Sequence, residues 1–406
     1  MTTEQFIQEH LRDDVRDLAL QRAKFPDVDI PYALDQIKGW QTARQKLPSW
    51  AAIDGIIYPP HLSMEQCSSE ATAAYKANMA KRLLPSSGNG QPLGSLVDLT
   101  GGFGVDFAFM VKALQGAVPH SVYVERQEAL CAIAKHNFLQ LGLGHSEVIC
   151  ADGVAYLHEM ATASLVFIDP ARRNAHGRRT FAIADCSPDV LSIEGELLQK
   201  ADYVIMKLSP MLDVTATVEA LGRENVCEVH IVSVANECKE LLVVLSKRGI
   251  GTRYFCANDS NVLSFDSSFS HKERGFVDES SPSLGVDGHL YLYEPNASIM
   301  KMGCFDILCQ RYGVKALGAN SHLFVSCDSI EDFPGRKFHV KTITSMNKKE
   351  LRRHLQGIHQ ANITTRNFPL SAKDLRKRLA LKDGGDTYIF ATTNHLGEHI
   401  LLICGN

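Results

Sequence analysis

The chain has 406 residues, enough for two or three domains and a sizeable core. Apolar residues make up 45% and charged residues 22%, as in ordinary globular proteins, and a formal net charge of −4 offers no whole-chain attraction to a polyanion. The eleven cysteines include no C-x-x-C pair, which argues against a zinc site and for reduced thiols, among them Cys67, Cys150 and Cys186. The first residues lack the layout of a secretory signal and no apolar run reaches membrane-spanning length, so a cytoplasmic protein without metal or membrane partner is expected.

In chain order, residues 1–85 read as a helical region. Phe6, Leu11, Val15, Leu18 and Leu20 recur at near-helical spacing, interrupted by Pro26 and Pro31. A second helix is expected from about 64 to 84, with Ser63 and Gln66 as a capping box, which puts Gln66, Ser69 and Thr72 on one face. Pro85-Ser86-Ser87-Gly88-Asn89-Gly90 reads as a linker.

A strand at 95–99 then ends in Thr100-Gly101-Gly102-Phe103-Gly104-Val105-Asp106, and a helix follows. Glycines in such a turn let the backbone approach a ligand, and the helix start supplies free N–H groups. Three further strands keep register with it. Ser121-Val122-Tyr123-Val124-Glu125 ends in an acid about 20 residues past the glycines, the place of a ribose-binding acid in doubly wound sheets. Glu147-Val148-Ile149-Cys150-Ala151-Asp152-Gly153 also ends in an acid, and Leu165-Val166-Phe167-Ile168 opens into Asp169-Pro170-Ala171-Arg172-Arg173. A fifth strand is expected at 204–208, and two more, at 228–234 and 241–245, form a hairpin.

These residues, in this order, resemble the class I S-adenosylmethionine-dependent methyltransferases over residues 95–246. Thr100 stands where that family usually has its first glycine, with Gly102 and Gly104 as the second and third. Nicotinamide-binding folds favour G-x-G-x-x-G, which residues 101 onward do not give. The resemblance implies a doubly wound Rossmann-like α/β sheet with an antiparallel last strand. It implies S-adenosylmethionine as cofactor, with Gly102 and Gly104 beside its methionine portion, Asp98 and Asp106 near its amino group, Glu125 on the ribose and Asp152 with Gly153 at the adenine. A helix N-cap is the equal alternative for Asp106. Gln66 and Thr72, from the segment before the first strand, are further candidate cofactor contacts.

Beyond residue 250 the signals shorten. Strands are expected at 252–256, 290–293 and 323–326 around one helix at 297–312, then strand 337–343, helices 347–358 and 372–379, and strands 387–392 and 399–404. Between Gly335 and Lys382 thirteen lysines and arginines face only Glu350 and Asp374, so this segment is a basic patch on an otherwise acidic chain. A solvated helix face is the plain reading, and a nucleic-acid backbone the sharper one. The layout, with Glu65-Gln66-Cys67-Ser68-Ser69-Glu70-Ala71-Thr72-Ala73-Ala74-Tyr75-Lys76 and Lys207-Leu208-Ser209-Pro210-Met211-Leu212-Asp213, is similar to that of bacterial methyltransferases with a THUMP-like C-terminal domain. The domains expected are a helical region (1–85), a methyltransferase domain (86–250), a linker with a small ferredoxin-like module (251–334) and a basic α+β THUMP-like domain (335–406).

Asp169 and Pro170 are the expected acceptor end. Exocyclic-amine methyltransferases carry Asp/Asn-Pro-Pro followed by an aromatic ring; here Ala171 and Arg172 take the last two places. Asp169 and the Pro170 carbonyl can still accept from an amine, and the Arg172 guanidinium can stack. Arg173, Arg178 and Arg179 are candidate substrate contacts or members of a salt-bridged loop, and Lys207 touches the substrate or pairs with Asp169 or Asp213. Lys348, Arg352, Arg353, Arg376 and Lys377 are candidate backbone contacts. The stretch 206–210 holds no cysteine, which disfavours covalent methylation at carbon 5 of uridine. The expected activity is methylation of a base nitrogen in tRNA or rRNA. A protein or small-molecule methyltransferase, or a non-catalytic cofactor- or RNA-binding protein, are the alternatives.

Overall fold

The computed structural model describes residues 1–85, 94–115, 117–172, 183–249, 251–267, 275–277 and 289–405. The linker expected at 86–90 and Arg173, Arg178 and Arg179 lie outside the described residues. The chain divides into two compact units, one of residues 1–234 and 239–254 and one of residues 235–238 and 255–406.

The first unit opens with helices α1 (Thr3–His10), α2 (Val15–Leu20), α3 (Ile30–Lys46), α4 (Pro48–Ala51), α5 (His61–Gln66) and α6 (Glu70–Leu83). Pro31 does not break a helix: it stands in the first turn of α3, where its missing N–H costs nothing, behind the Asp29 N-cap. The helix expected at 64–84 is two helices. Residues Cys67 to Ser69 leave the helical path, Ser63 lies inside α5, and Ser69 caps α6 by accepting from Thr72 N at 3.3 Å. The capping box at Ser63 is therefore absent, and Gln66 and Thr72 sit on different helices.

Strands β1 (Ser95–Asp98), β2 (His120–Glu125), β3 (Glu147–Cys150), β4 (Ala163–Ile168), β5 (Ala201–Leu208), β6 (Val226–Val234) and β7 (Glu237–Leu245) lie in the order β6-β7-β5-β4-β1-β2-β3. The β1–β2, β1–β4, β2–β3 and β4–β5 pairs are parallel, and β5–β7 is antiparallel. Helices α7 (Val105–Ala113), α8 (Glu128–Gln140), α9 (Gly153–Glu159), α10 (Val190–Lys200) and α11 (Val214–Ala220) form the crossovers. Every residue of β4 is buried, as its apolar sequence requires of a central strand. The strand order reverses at β1, between β2 and β4, which opens a crevice at the C-terminal ends of β1 and β4.

The N-terminal helices share the sheet's core. Trp50 of α4 packs edge-on to Phe103 at 5.0 Å between ring centres, and Met64, Ala73 and Ala80 join Phe107, Tyr123 and Phe138 in one apolar cluster. The Asn137 side chain pairs with the backbone of Ile57 at 2.9 and 2.8 Å, and Gln36 does the same for Tyr58. Helix α6 is further tied to β6 by Arg82, whose guanidinium meets the Glu228 carboxylate at 2.6 and 2.5 Å.

After the hairpin β8 (Arg253–Asn258) and β9 (Asn261–Asp266), the second unit contains β10 (Tyr291–Pro295), α12 (Ala297–Met302), α13 (Phe305–Tyr312), β11 (Lys315–Ala316), β12 (Phe324–Ser326), β13 (Gly335–Ser345), α14 (Lys348–His354), β14 (Asn362–Arg366), α15 (Ala372–Leu379), β15 (Tyr388–Thr393) and β16 (His399–Gly405). One seven-stranded sheet, β11-β12-β10-β13-β16-β15-β14, runs through it. Among the described strands of this sheet only β14 and β15 pair in parallel, across the α15 crossover. The single helix expected at 297–312 is broken where Gly303 adopts φ +74° and ends α12. Strand β14, Asn-Ile-Thr-Thr-Arg, has a half-polar sequence that gave no strand signal; its pairing with β15 makes it one.

Candidate active site

Three strands deliver acids to the crevice: β1 ends at Asp98, β2 ends at Glu125, and β4 runs directly into Asp169 and Pro170. Between β1 and α7 the chain makes its tightest turn. Gly102 (φ +56°) and Gly104 (φ +82°) sit in the left-handed region that favours glycine. A Cβ on Gly101 would lie 2.1 Å from the Tyr123 ring, so that position needs glycine for packing alone. The turn is clamped to β2: Gly102 N donates to Glu125 Oε2 at 3.0 Å, and the Tyr123 hydroxyl donates to the Gly102 carbonyl. Gly104 is the N-cap of α7 and supplies no side chain, so the first amides of α7 keep their hydrogens for another partner. Asp106 is not the cap; it is the second residue of the helix, turned inward and 8% exposed.

Thr100, in place of a glycine, links the two halves of the crevice. Its N–H donates to Asp98 Oδ1 at 2.9 Å, and its hydroxyl accepts from Asp169 N at 2.7 Å. Asp98 is 1% exposed, and burial pushes its carboxyl well above the usual range against the Thr100 hydrogen bond. Lys207, on β5, pairs with Asp169 as the sequence allowed: Nζ donates to Oδ2 at 2.5 Å and lies 3.7 Å from Asp106 Oδ2. Burial draws the ammonium down, but Asp169, Asp106 and Glu240 outweigh it and hold Lys207 above the ordinary lysine value. Asp169 itself is raised by burial, with Lys207 pulling the other way.

Behind Asp106 lies a group that sequence reasoning missed. Lys76 of α6 is fully buried and places Nζ 2.5 Å from Glu240 Oε2 and 3.2 Å from Asp106 Oδ1. The Ser68 hydroxyl lies 2.7 Å from Asp106 Oδ2, 3.3 Å from Glu240 Oε1 and 3.1 Å from Lys76 Nζ. Burial raises the Asp106 carboxyl, but Lys76, Lys207 and Ser68 outweigh it and hold it below the usual carboxylate value. A signal existed: Lys76 shares the face of Thr72, Ala73, Ala77 and Ala80, all buried, so the helical period alone places it inward.

The other expected residues fall as follows. Glu125, 9% exposed, accepts from Gly102 N through Oε2 and from Gln127 N at 2.9 Å through Oε1. Asp152 is exposed and N-caps α9, with Oδ1 accepting from Val154 and Ala155 N at 3.0 and 3.1 Å. A Cβ on Gly153 would lie 2.1 Å from the Leu99 carbonyl oxygen, so glycine lets α9 approach the end of β1. Thr72 is 2% exposed with its hydroxyl donated to Ser69 O, while Gln66 is exposed at the end of α5. Arg172 belongs to a two-residue strand with Ala171, paired to Cys186 and Ser187. Burial pushes the Cys67 thiol up to about 11, which makes it a poor nucleophile. Among the described residues no cluster of His, Cys, Asp and Glu could hold a metal, and no helix is long and apolar enough to cross a membrane.

In the second unit Lys348, Arg352 and Arg353 on α14 and Lys377 on α15 are exposed. Arg376 is tied to Asp383 at 2.5 Å, and Arg366 to the buried Glu294 at 3.0 Å. Half-buried and paired, Arg376 has less reach than its neighbours.

Comparison with known proteins agrees with this anatomy. Residues 335–406 match a family model described as THUMP domain-like, and residues 291–334 match one described as a ferredoxin-like domain. Among solved structures, a protein from Porphyromonas gingivalis W83 described as a candidate methyltransferase superposes with a TM-score of 0.82 at 29% identity, over 99% of this chain and 96% of that one. A candidate class I S-adenosylmethionine-dependent methyltransferase from Listeria monocytogenes covers 50% of this chain and 67% of its own at 11% identity, with a TM-score of 0.36. A candidate RNA methyltransferase from Pyrococcus horikoshii covers 50% and 95% at 13% identity, with a TM-score of 0.33. No curated protein matches by sequence. The chain shares its fold with the Porphyromonas gingivalis protein described as a candidate methyltransferase. Its C-terminal part carries a ferredoxin-like and a THUMP-like domain, as in the family that the sequence resembles.

Proposed function

We propose that this protein is an S-adenosylmethionine-dependent methyltransferase that modifies a base nitrogen of tRNA or rRNA in the cytoplasm. One observation carries the reading: Asp169 and Pro170 stand at the strand-order switch point, beside an acid-lined glycine turn, with one Asp169 oxygen fixed by Lys207 and the side chain 36% exposed.

The residues present fit the cofactor. Asp106 Oδ1 is buried with Lys76 Nζ 3.2 Å away as its ion-pair partner, and a carboxylate oxygen with one partner has a lone pair left for a second donor. A Cβ at Gly102 would meet only Thr100 O at 3.9 Å, so there is room for a ligand beside the turn. The acids Asp98, Asp106 and Glu125 suit a ligand that carries a sulfonium and an ammonium. Gly102 and Gly104 would lie against its methionine portion, Asp98 and Asp106 at its amino group, Glu125 at the ribose, and Asp152 and Gly153 at the adenine; Gln66 and Thr72 are outer candidates. S-adenosylmethionine, when bound, supplies an electrophilic methyl carbon.

The chain's own residues then have one main task, which is placement. Transfer needs the acceptor nitrogen in line with the methyl carbon, and good alignment is worth several orders of magnitude in rate. The free oxygen of Asp169 and the Pro170 carbonyl accept the hydrogens of a base nitrogen and aim its lone pair. Lys207 keeps the Asp169 carboxylate from rotating and offsets its charge. Guanidinium chemistry assigns Arg172 and Arg173, next to Pro170 in sequence, to the base or a neighbouring phosphate. Lys348, Arg352, Arg353 and Lys377, with Arg376 at the margin, neutralise backbone phosphates of the RNA.

The test is transfer of labelled methyl from S-adenosylmethionine to total RNA from cells lacking this protein, followed by nucleoside analysis. The expected result is one labelled nucleoside, methylated on nitrogen, that disappears with Asp169→Ala while cofactor binding persists. Label on protein or on a small molecule, or binding of the cofactor with no transfer to any acceptor, would contradict it.

A further inference from the structure

The cofactor's amino-acid end is expected at Asp106, but the structure surrounds that carboxylate with groups from outside the glycine turn. We propose that Lys76, on a helix that precedes the methyltransferase sheet, is a positioning residue for the cofactor's ammonium group: it holds Asp106 ionised and oriented so that Oδ1 can receive that group. The proposal rests on the cofactor reading above and deepens it.

The geometry has three parts. Lys76 Nζ is 3.2 Å from Asp106 Oδ1, an ion pair that engages one side of that oxygen and leaves it a further lone pair for a second donor. Oδ2 is engaged, by Ser68 at 2.7 Å and by the more distant Lys207, so the carboxylate plane is fixed from behind. Lys76 is itself fixed by Glu240 of β7 at 2.5 Å and by Ser68 at 3.1 Å, and it is fully buried.

A carboxylate at this depth would take up a proton without cations beside it, and a neutral acid binds an ammonium poorly. Among the described residues, the charged and titratable groups facing Asp106 are these, with the Cys67 thiol beside them. Lys76 comes from α6, Lys207 from β5, Glu240 from β7 beyond Lys76, Asp98 from β1, and Asp169 from the end of β4. Two cations face four acids including Asp106, which leaves this cluster net negative when all are ionised. That surplus is what a ligand with an ammonium and a sulfonium would neutralise.

A buried lysine–glutamate pair can equally be a structural strut, so the test must separate the two roles. Replacing both partners by apolar residues of similar volume often preserves stability. The full chain carrying Lys76→Met with Glu240→Leu, and separately Lys76→Gln, is compared with the wild type by calorimetric binding of two ligands. S-adenosylhomocysteine has the amino-acid end, and 5′-methylthioadenosine has the same nucleoside without it. At neutral pH both variants should lose about tenfold or more in S-adenosylhomocysteine affinity, the scale of one charged hydrogen bond, and bind methylthioadenosine as the wild type does. Their deficit should shrink as pH rises and Asp106 ionises unaided, whereas the wild type should vary little. Equal losses for both ligands, a misfolded Lys76→Gln chain, or unchanged S-adenosylhomocysteine affinity would overturn the role of Lys76. A wild type that binds neither ligand would overturn the cofactor reading itself, and this proposal with it.

Discussion

The two units place their cations in opposite ways. In the first, the buried Lys76 and the half-buried Lys207 lie among Asp106, Asp169 and Glu240 and have fixed partners within 3.7 Å. In the second, Lys348, Arg352, Arg353 and Lys377 stand on short helices and face solvent. A buried charge is expensive unless matched, so each cation in the crevice is tied to a geometry and can orient a small group accurately. An exposed charge is cheap and mobile; it attracts a polyanion but aligns nothing. In the proposed function, accurate placement and loose grip therefore fall to different parts of one chain.

The largest effect expected is on turnover. Asp169→Ala should lower kcat by roughly 10²-fold or more, the usual cost of a misplaced acceptor, with the Kd for S-adenosylhomocysteine unchanged in calorimetry; an equal loss in both would merge the two roles. Next comes stability in the crevice. Lys76→Met alone strands two buried carboxylates and should cost about 3–5 kcal/mol in urea unfolding, most of it recovered when Glu240→Leu is added. Gly153→Ala should cost roughly 1–3 kcal/mol, because its Cβ would press on the Leu99 backbone.

The pH dependence has a sign that can be checked. The folded-state value of Asp106 is depressed, so its contribution to stability is present above the ordinary carboxylate range and is lost as pH falls through the lower folded value. Asp98 and Asp169 are raised, so they cost stability above that range, and protonation in the folded state relieves the cost on acidification. Lys76→Gln should convert Asp106 to the second kind and flatten the acid limb of urea stability below the ordinary carboxylate range. A limb unchanged by the substitution would separate Lys76 from Asp106. The smallest effect is expected on the basic face. Lys348→Ala or Arg353→Ala should shift stability by less than about 0.5 kcal/mol and reduce the salt slope of RNA binding by about 1 for each phosphate that is no longer neutralised.

Much of this architecture was legible in local sequence. The strand–glycine–helix run at 95–114, the acid ending β2 and the one two residues past β3, the apolar β4 and the basic stretch after 335 all depend on neighbours within a few residues, and all appear in the structure. What local pattern could not give was pairing at a distance. Lys76 meets Glu240 across 164 residues, and Thr100 meets Asp169 across 69. The break at Cys67–Ser69 was read as continuous helix because its residues are tolerated in one, while the Ser69 cap decided otherwise. Strand β14 was missed because its polar residues become a strand only by pairing with β15.

The division of labour itself is tested most directly by steady-state kinetics of methyl transfer to RNA, with Asp169→Ala set beside a triple reversal, Lys348→Glu, Arg352→Glu and Arg353→Glu. The account predicts that the first lowers kcat with little change in the KM for RNA. The second should raise that KM steeply with kcat and S-adenosylhomocysteine affinity preserved. If the reversal leaves KM unchanged, or if both variants fall in kcat alone, the basic unit is not the grip and the separation of placement from binding is wrong.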